Sequence, residues 1–136
     1  METIYNETSE SLDSNISIYE DLGGFFTKIF YDNQNISIII YDIELLNRIR
    51  YEIKISLKEL YKEADIFNQK TIKEIYEIFI KLINQNSYKI TCDNYSNIIF
   101  SLIINDSNNI VKEISFMSQN RIKDISIEYI EVLEKK

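Results

Sequence analysis

Histidine is absent from the 136-residue chain, and cysteine occurs once, as Cys92. Without histidine the chain cannot form a Ser-His-Asp triad, a Cys-His nucleophile pair or the commonest zinc sites. A single cysteine cannot form an internal disulfide, which agrees with a reducing compartment. Cys92 lies in a predicted strand beside Asp93, whose negative charge disfavours a reactive thiolate, so we interpret it as a small buried hydrophobe. The sequence therefore predicts a protein that is not an enzyme and holds no metal or other cofactor.

Glycine occurs only at Gly23 and Gly24, side by side in the segment DLGGFF. A phosphate-binding loop needs G-x-G-x-x-G or G-x-x-x-x-G-K-[ST] between a strand and a helix, and this segment has neither spacing. Adjacent glycines instead predict a backbone bend. We expect that bend to separate an acidic tail from the folded body.

Valine and alanine are nearly absent, since the chain has 29 isoleucines against two valines and one alanine. This skew indicates an AT-rich genome, in which motifs built from isoleucine, asparagine, lysine and tyrosine arise easily by chance. The apolar fraction is still 45%. A chain of this length and composition is expected to form one domain with its own core.

The net charge of −7 is concentrated at the N terminus. Residues 1–21 carry six acids and no base, so residues 22–136 carry 16 acids against 15 bases. The nearly neutral body lacks the basic stripe of a nucleic-acid binder, so no direct nucleic-acid contact is predicted. No signal peptide or membrane-length apolar run is present, which predicts a cytoplasmic protein without membrane contact. We interpret 1–21 as a flexible acidic tail and 22–136 as a single globular α+β domain.

Two capping boxes locate the helices. Ser56-Leu-Lys-Glu59 and Thr71-Ile-Lys-Glu74 each place a hydroxyl and a glutamate where they can exchange hydrogen bonds with backbone amides. They predict helices over 57–65 and 72–85, with a strand before the first. Upstream, FFTKIFY and ISIIIYD predict a hairpin with its turn over 32–35. The segment 43–50 fits either a helix or a strand.

Three further strands are predicted in YKITC, NIIFSLIIN and IVKEISFM. The middle strand is apolar on both faces, so we expect it to be central and covered on both sides. Residues 120–133 fit a helix or a strand, and we favour a C-terminal helix. The resulting fold class is α+β, with antiparallel sheet or sheets of about five to six strands, two central helices (57–65, 72–85) and the C-terminal helix.

The run from ISIIIYD through KELYKEADIFNQKTIKEIYEIFIKLI to VKEISFM, residues 36–117, resembles in its order of elements the globular head of centriolar cartwheel and end-joining repair scaffold proteins. The resemblance implies a β-sandwich with two inserted helices and a following coiled coil. Heads of that type that self-associate carry a bulky apolar residue at a hairpin tip, whereas the corresponding tip here, 106–109, is polar. No functional residue is carried over from that family.

The sequence favours a non-catalytic protein that binds another protein, a profile shared by small acidic inhibitors, immunity proteins and phage anti-defence proteins. The expected partner is a protein, either basic or itself nucleic-acid-binding, and a homodimer stays open. The alternative function is a self-assembly head domain with a short helical extension. For the aromatic residues near the tail, core packing is the stronger alternative to a partner contact. The residues assigned to partner binding are Glu7, Glu10, Asp13, Glu20, Asp21, Phe25, Phe26 and Tyr31.

Overall fold

A computed structural model of the chain describes residues 15–41, 49–93, 97–105 and 108–123. It confirms the α+β class and contains more strands than predicted, arranged in two antiparallel sheets of five and three strands. The elements in chain order are β1 (Ile16–Leu22), β2 (Phe25–Tyr31), β3 (Asn35–Tyr41), β4 (Ile49–Ser56), α1 (Leu57–Glu63), a 3-10 turn (Asp65–Phe67), α2 (Ile72–Asn84), β5 (Tyr88–Cys92), β6 (Ile98–Asn105), β7 (Val111–Met117) and β8 (Asn120–Lys123).

The five-stranded sheet has the order β1-β2-β3-β4-β8. Alternating isoleucines build its core face, as in the row of Ile29, Ile38 and Ile53, which are opposite one another on three neighbouring strands and are at most 1% exposed. Burying an isoleucine side chain stabilises a fold by roughly 1.5–3 kcal/mol before the entropy cost. This row therefore fixes the register of the sheet, because a shift by one residue would turn the isoleucines to solvent.

The two helices stand between β4 and β5, and both begin at the predicted capping boxes. The Ser56 hydroxyl accepts from the Glu59 amide, and the Thr71 hydroxyl accepts from the Glu74 amide, each at 3.1 Å. The helix α2 lies between the sheets, where the Phe79 ring is about 6 Å from the ring of Phe116 on β7. The predicted helices are thus confirmed, with ends one or two residues earlier than expected.

The three-stranded sheet has the order β5-β6-β7 and connects directly to the larger one. The Ser118 amide donates to the carbonyl of Ile98 at 2.8 Å, and the next amide, Gln119, donates to the carbonyl of Glu52 at 2.8 Å. The Gln119 side chain also bridges the backbone amide and carbonyl of Lys54. The chain therefore leaves β7 and enters β8, beside β4, within two residues.

The glycine pair forms the turn between β1 and β2. Gly23 and Gly24 have φ of +64° and +93°, which side chains disfavour, and the Gly24 amide donates to Asp21 Oδ1 at 2.8 Å. The predicted bend is confirmed, but it joins two paired strands and does not separate a tail from the body. The tail boundary at residue 21 is therefore wrong for residues 16–21, which belong to β1, and four of them, 16–19, pair directly with β2. Residues 1–14 lie outside the described residues.

The predicted C-terminal helix does not begin at residue 120. Residues Asn120–Lys123 form β8, which pairs antiparallel with β4 at the edge of the larger sheet. The ladder with β4 decides the conformation of these four residues, which sequence periodicity alone left open. The remainder of the predicted helix, 124–133, and the ambiguous positions 43–48 lie outside the described residues, while 49 and 50 begin β4.

Candidate interaction surfaces

The predicted partner-binding acids fall in two groups. Glu7, Glu10 and Asp13 lie outside the described residues. Glu20 and Asp21 are exposed at the end of β1, where Asp21 also accepts the Gly24 amide and so holds the turn. These two acids are therefore placed beside the glycine turn at one end of the first hairpin.

The three predicted aromatic anchors are used in packing. Phe26 is only 5% exposed and meets the ring of Tyr41 edge-on at 5.7 Å. Tyr31 packs its ring 4.7 Å from that of Tyr76 on α2, and Phe25 packs against the core. Phe26 also stands on the opposite face of β2 from Phe25 and Tyr31, because adjacent side chains of a strand alternate. The three aromatics therefore do not lie on one surface, and the burial of Phe26 corrects the prediction that it is an exposed partner anchor.

A different surface is open, the outer face of the three-stranded sheet. We use this name for the side chains of β5, β6 and β7 that point away from α2. Register places Thr91, Ile99 and Met117 in one row, Lys89, Ser101 and Ser115 in the next, Ile103 beside Glu113, and Asn105 beside Val111.

Apolar side chains are exposed on this outer face. Val111 is 68% exposed, Met117 51% and Ile103 36%, and Ile110 just before β7 is exposed as well. The expectation that β6 is covered on both sides is therefore wrong. Its inner side chains, such as Phe100, are fully buried because α2 covers the inner face, while Ile103 on the outer side is exposed and only the small Ser101 there is buried.

Four polar side chains near the centre of the outer face form two pairs. Lys89 Nζ lies 3.3 Å from Glu113 Oε1, and the hydroxyls of Ser101 and Ser115 are 2.8 Å apart. An ion pair at this exposure contributes little to stability, on the order of 0–1 kcal/mol. The ion pair leaves the outer face with almost no net charge. A partner would therefore contact apolar side chains that surround a small group of polar side chains already bonded to one another.

Sequence reasoning missed this surface, although a signal for it was present. In IVKEISFM the outward positions of β7 are Val111, Glu113, Ser115 and Met117, with apolar residues at both ends. Periodicity identifies the two faces of such a strand but does not tell which of them is covered when both carry apolar side chains. The missing information is the position of α2, which only the tertiary structure supplies.

The outer face of the five-stranded sheet carries a shallow groove of about 240 Å³. Phe30 and Ile39 line it together with Asp32, Glu52 and Lys54. Asp32 accepts the amides of Gln34 and Asn35, both at 2.8 Å, and these bonds lower the pKa of its carboxyl. This carboxylate is therefore used by the β2–β3 turn.

Titration in the described residues reflects local structure. The Thr71 amide donates to Glu74 at 2.8 Å and lowers the pKa of that carboxyl. Burial raises the pKa of Tyr76 to about 12, and its bond to Ser17 offsets part of that rise.

Across the residues that the structure describes, no group of three or more cysteine and carboxylate side chains is placed to hold a metal ion. Cys92, predicted to be buried, is exposed.

None of the helices in the described ranges is both long enough and apolar enough to cross a bilayer. Comparison with known proteins adds no relative to this description. No protein-family model, no curated protein and no solved structure matches the chain.

Proposed function

We propose that this protein is a non-catalytic binding protein that docks on another protein through the outer face of the three-stranded sheet. The observation that carries the proposal is the exposure of Val111, Met117 and Ile103 on one continuous face. Clusters of large exposed apolar side chains on a soluble domain mark interaction sites. The neutral polar centre around Lys89 and Glu113 fits a partner surface that is mainly apolar at the contact.

The acidic N-terminal residues give this proposal its second part. Residues 1–14 carry four acids and no base, and Glu20 and Asp21 continue the negative charge at the end of β1. A dense negative segment accelerates encounter with a basic protein at low salt. The proposed partner is therefore a protein with a basic surface, of the kind that small acidic inhibitors, immunity proteins and anti-defence proteins bind in the cytoplasm.

A second candidate, a self-assembly head domain of the kind that the resemblance implies, is favoured by one observation. The strand β7 stands at the edge of its sheet and has no neighbour on its outer side within the described part of the chain. Free edges of this kind pair readily with further strands. The two candidates use different features, a sheet face and a sheet edge, so they can be tested separately.

Affinity capture from lysate of the source organism tests the first candidate, with the wild-type chain and two lysine variants as bait. Ile103→Lys places a charge in the middle of the outer face. Ile18→Lys is the matched control, since Ile18 is an isoleucine exposed to 49% on the outer face of the other sheet. Both variants are first compared by far-UV circular dichroism and thermal unfolding.

We expect one protein to be retained by the wild-type chain and by Ile18→Lys and to be lost with Ile103→Lys. The captured protein is then purified and titrated against the three baits. A folded Ile103→Lys variant that binds this protein as tightly as the wild-type chain would remove the outer face from the proposal.

A further inference from the structure

The backbone of β7 points half of its hydrogen-bonding groups away from its own sheet. The Ser118 amide donates to the carbonyl of Ile98 on β6. The backbone amides and carbonyls of the even-numbered residues of β7 therefore point toward β6. The amides and carbonyls that point outward are those of Val111, Glu113, Ser115 and Met117. In the ranges that the structure describes, no hydrogen bond to these outward groups is found.

This edge has few of the features by which natural sheets prevent pairing with a further strand. Of the four residues whose backbone groups point outward, only Glu113 is charged, and its carboxylate is already paired with Lys89. Proline and a bulge are absent from β7, and its ladder with β6 is regular over all seven residues. Lys112 points to the inner side, where its ammonium donates to the carbonyl of Glu63 at the end of α1 at 2.7 Å. An exposed, regular edge of this length is a template for strand addition.

We propose that two copies of the chain join along this edge, with β7 of one copy pairing antiparallel to β7 of the other about a twofold axis at Ile114. The inference goes beyond the first candidate function, which uses the outer face of the sheet. It rests on the second candidate, self-assembly through the edge of β7, and deepens it by naming the strand pairing and its register. It creates one continuous six-stranded sheet from two three-stranded ones.

The side chains of β7 favour the β7 strand of a second copy as the strand that pairs with this edge, and they favour one register for that pairing. A twofold axis at Ile114 pairs all seven residues, with Val111 opposite Met117 of the other copy at both ends. Glu113 then stands opposite Ser115, which can donate a hydrogen bond to it. Both ends of the joined strands thus bring together apolar side chains that are largely exposed in the single chain.

Neighbouring registers are less favourable. An axis at Glu113 would place the two Glu113 carboxylates directly opposite each other, which is destabilising. An axis at Ser115 would leave Val111 unpaired and set Glu113 opposite Met117. An axis at an even-numbered residue other than Ile114 preserves the hydrogen-bond pattern but shortens the ladder. The register about Ile114 is therefore the one that the sequence of β7 supports.

A proline substitution tests the edge without breaking the sheet. The Glu113 amide points away from β6, so Glu113→Pro removes no bond of the β6–β7 ladder but blocks an added strand. Glu113→Ala is the matched control, because it loses the same ion pair with Lys89 and keeps the amide. We expect sedimentation equilibrium to show a concentration-dependent dimer for the wild-type chain and for Glu113→Ala, and a monomer for Glu113→Pro. A monomeric wild-type chain at its highest soluble concentration would overturn the proposal.

Disulfide cross-linking reads the register and stays informative if Glu113→Pro fails to fold. Cys92→Ser removes the natural thiol, and Val111→Cys and Met117→Cys are introduced in separate chains. In the proposed register these two positions face each other with Cα atoms about 5.5 Å apart, within disulfide reach. Identical positions in the two copies lie about 20 Å apart, which no disulfide spans.

We therefore expect an equal mixture of the two cysteine variants to form a disulfide dimer on mild oxidation, while each variant alone stays monomeric under denaturing conditions. Cross-linking of Val111→Cys or Met117→Cys alone would reject this register. The dimer test and the partner-capture test of the first candidate give separate answers. Ile103→Lys, the variant used for partner capture, changes the outer face on the central strand β6 and leaves the β7 edge intact. Loss of partner capture and loss of the dimer are thus separate results.

Discussion

The Tyr76 hydroxyl on α2 is hydrogen-bonded to the Ser17 hydroxyl on β1, and it also lies 3.4 Å from the carbonyl oxygen of Ile29 on β2. Beside it, the Tyr19 hydroxyl donates to Asn84 at the end of α2 at 3.2 Å. These contacts tie the helix to the first strand across 59 and 65 residues of sequence. The strand β1 is therefore part of the folded body in both backbone pairing and side-chain contacts.

Removing the Tyr76 hydroxyl tests this connection. Tyr76→Phe keeps the ring against Tyr31 and leaves the Ser17 hydroxyl without its partner. We expect the free energy of unfolding in urea to fall by about 0.5–1.5 kcal/mol, the usual net value of such a bond. Ser17→Ala should cost a similar amount, and the double variant should cost less than the sum. Strictly additive losses would show that the two hydroxyls act independently.

Alkaline pH should destabilise the protein through the same residue. Burial raises the pKa of Tyr76 from its ordinary value of 10.0 to about 12. Since the folded state holds the proton more tightly, this contribution is complete below about pH 10 and is lost as pH rises toward about 12. We expect the unfolding free energy of the wild-type chain to fall more steeply over this window than that of Tyr76→Phe. Equal slopes in the two proteins would contradict the prediction, whatever the titration of the other tyrosines.

The capping box at Thr71 should hold the beginning of α2. Thr71→Ala removes the acceptor for the Glu74 amide, and we expect a loss of about 1 kcal/mol in unfolding free energy. Thr71→Ser retains a hydroxyl at the same place and should recover most of this loss. Ser56→Ala at the start of α1 should behave alike, because its geometry is the same. A Thr71→Ser variant as unstable as Thr71→Ala would indicate that the methyl group, and not the cap, matters.

These capping boxes also show how far the sequence alone could go. A hydroxyl and a glutamate three residues apart are a local signal, and the two helices start where that signal predicts. The hairpin of β2 and β3 was equally local, with an apolar-rich strand on each side of a short polar turn. Elements that are determined by neighbouring residues were therefore predictable.

Elements determined by distant residues were not. The strand β1 lies in an acidic segment whose sequence suggests a tail, and its place in the fold depends on Tyr76 and Asn84. The residues Asn120–Lys123 become a strand because β4 offers an edge. The candidate surface was missed for the same reason, since only the position of α2 decides that the Phe100 side of β6 is covered and the Ile103 side is open.

The structure places residues 16–21 in β1, so the acidic tail of the proposed function is limited to residues 1–14. Residues 1–14 carry Glu2, Glu7, Glu10 and Asp13, and a truncation after residue 14 keeps β1 and its contacts to α2. A truncation after residue 21 removes β1, so we expect it to lower the unfolding free energy markedly. Any loss of binding in that shorter protein would report unfolding and not charge.

The informative comparison therefore uses the 15–136 chain and a full-length variant with Glu7→Gln, Glu10→Gln and Asp13→Asn. With the purified basic partner, both should associate more slowly at low salt, by up to roughly tenfold, and with a flatter dependence on ionic strength. Dissociation rates should change little, because electrostatic steering acts on the encounter and not on the docked contact. Stopped-flow measurements over a salt series check this expectation. If both proteins associate as fast as the wild-type chain, the tail takes no part in recognition and binding depends on the outer face alone.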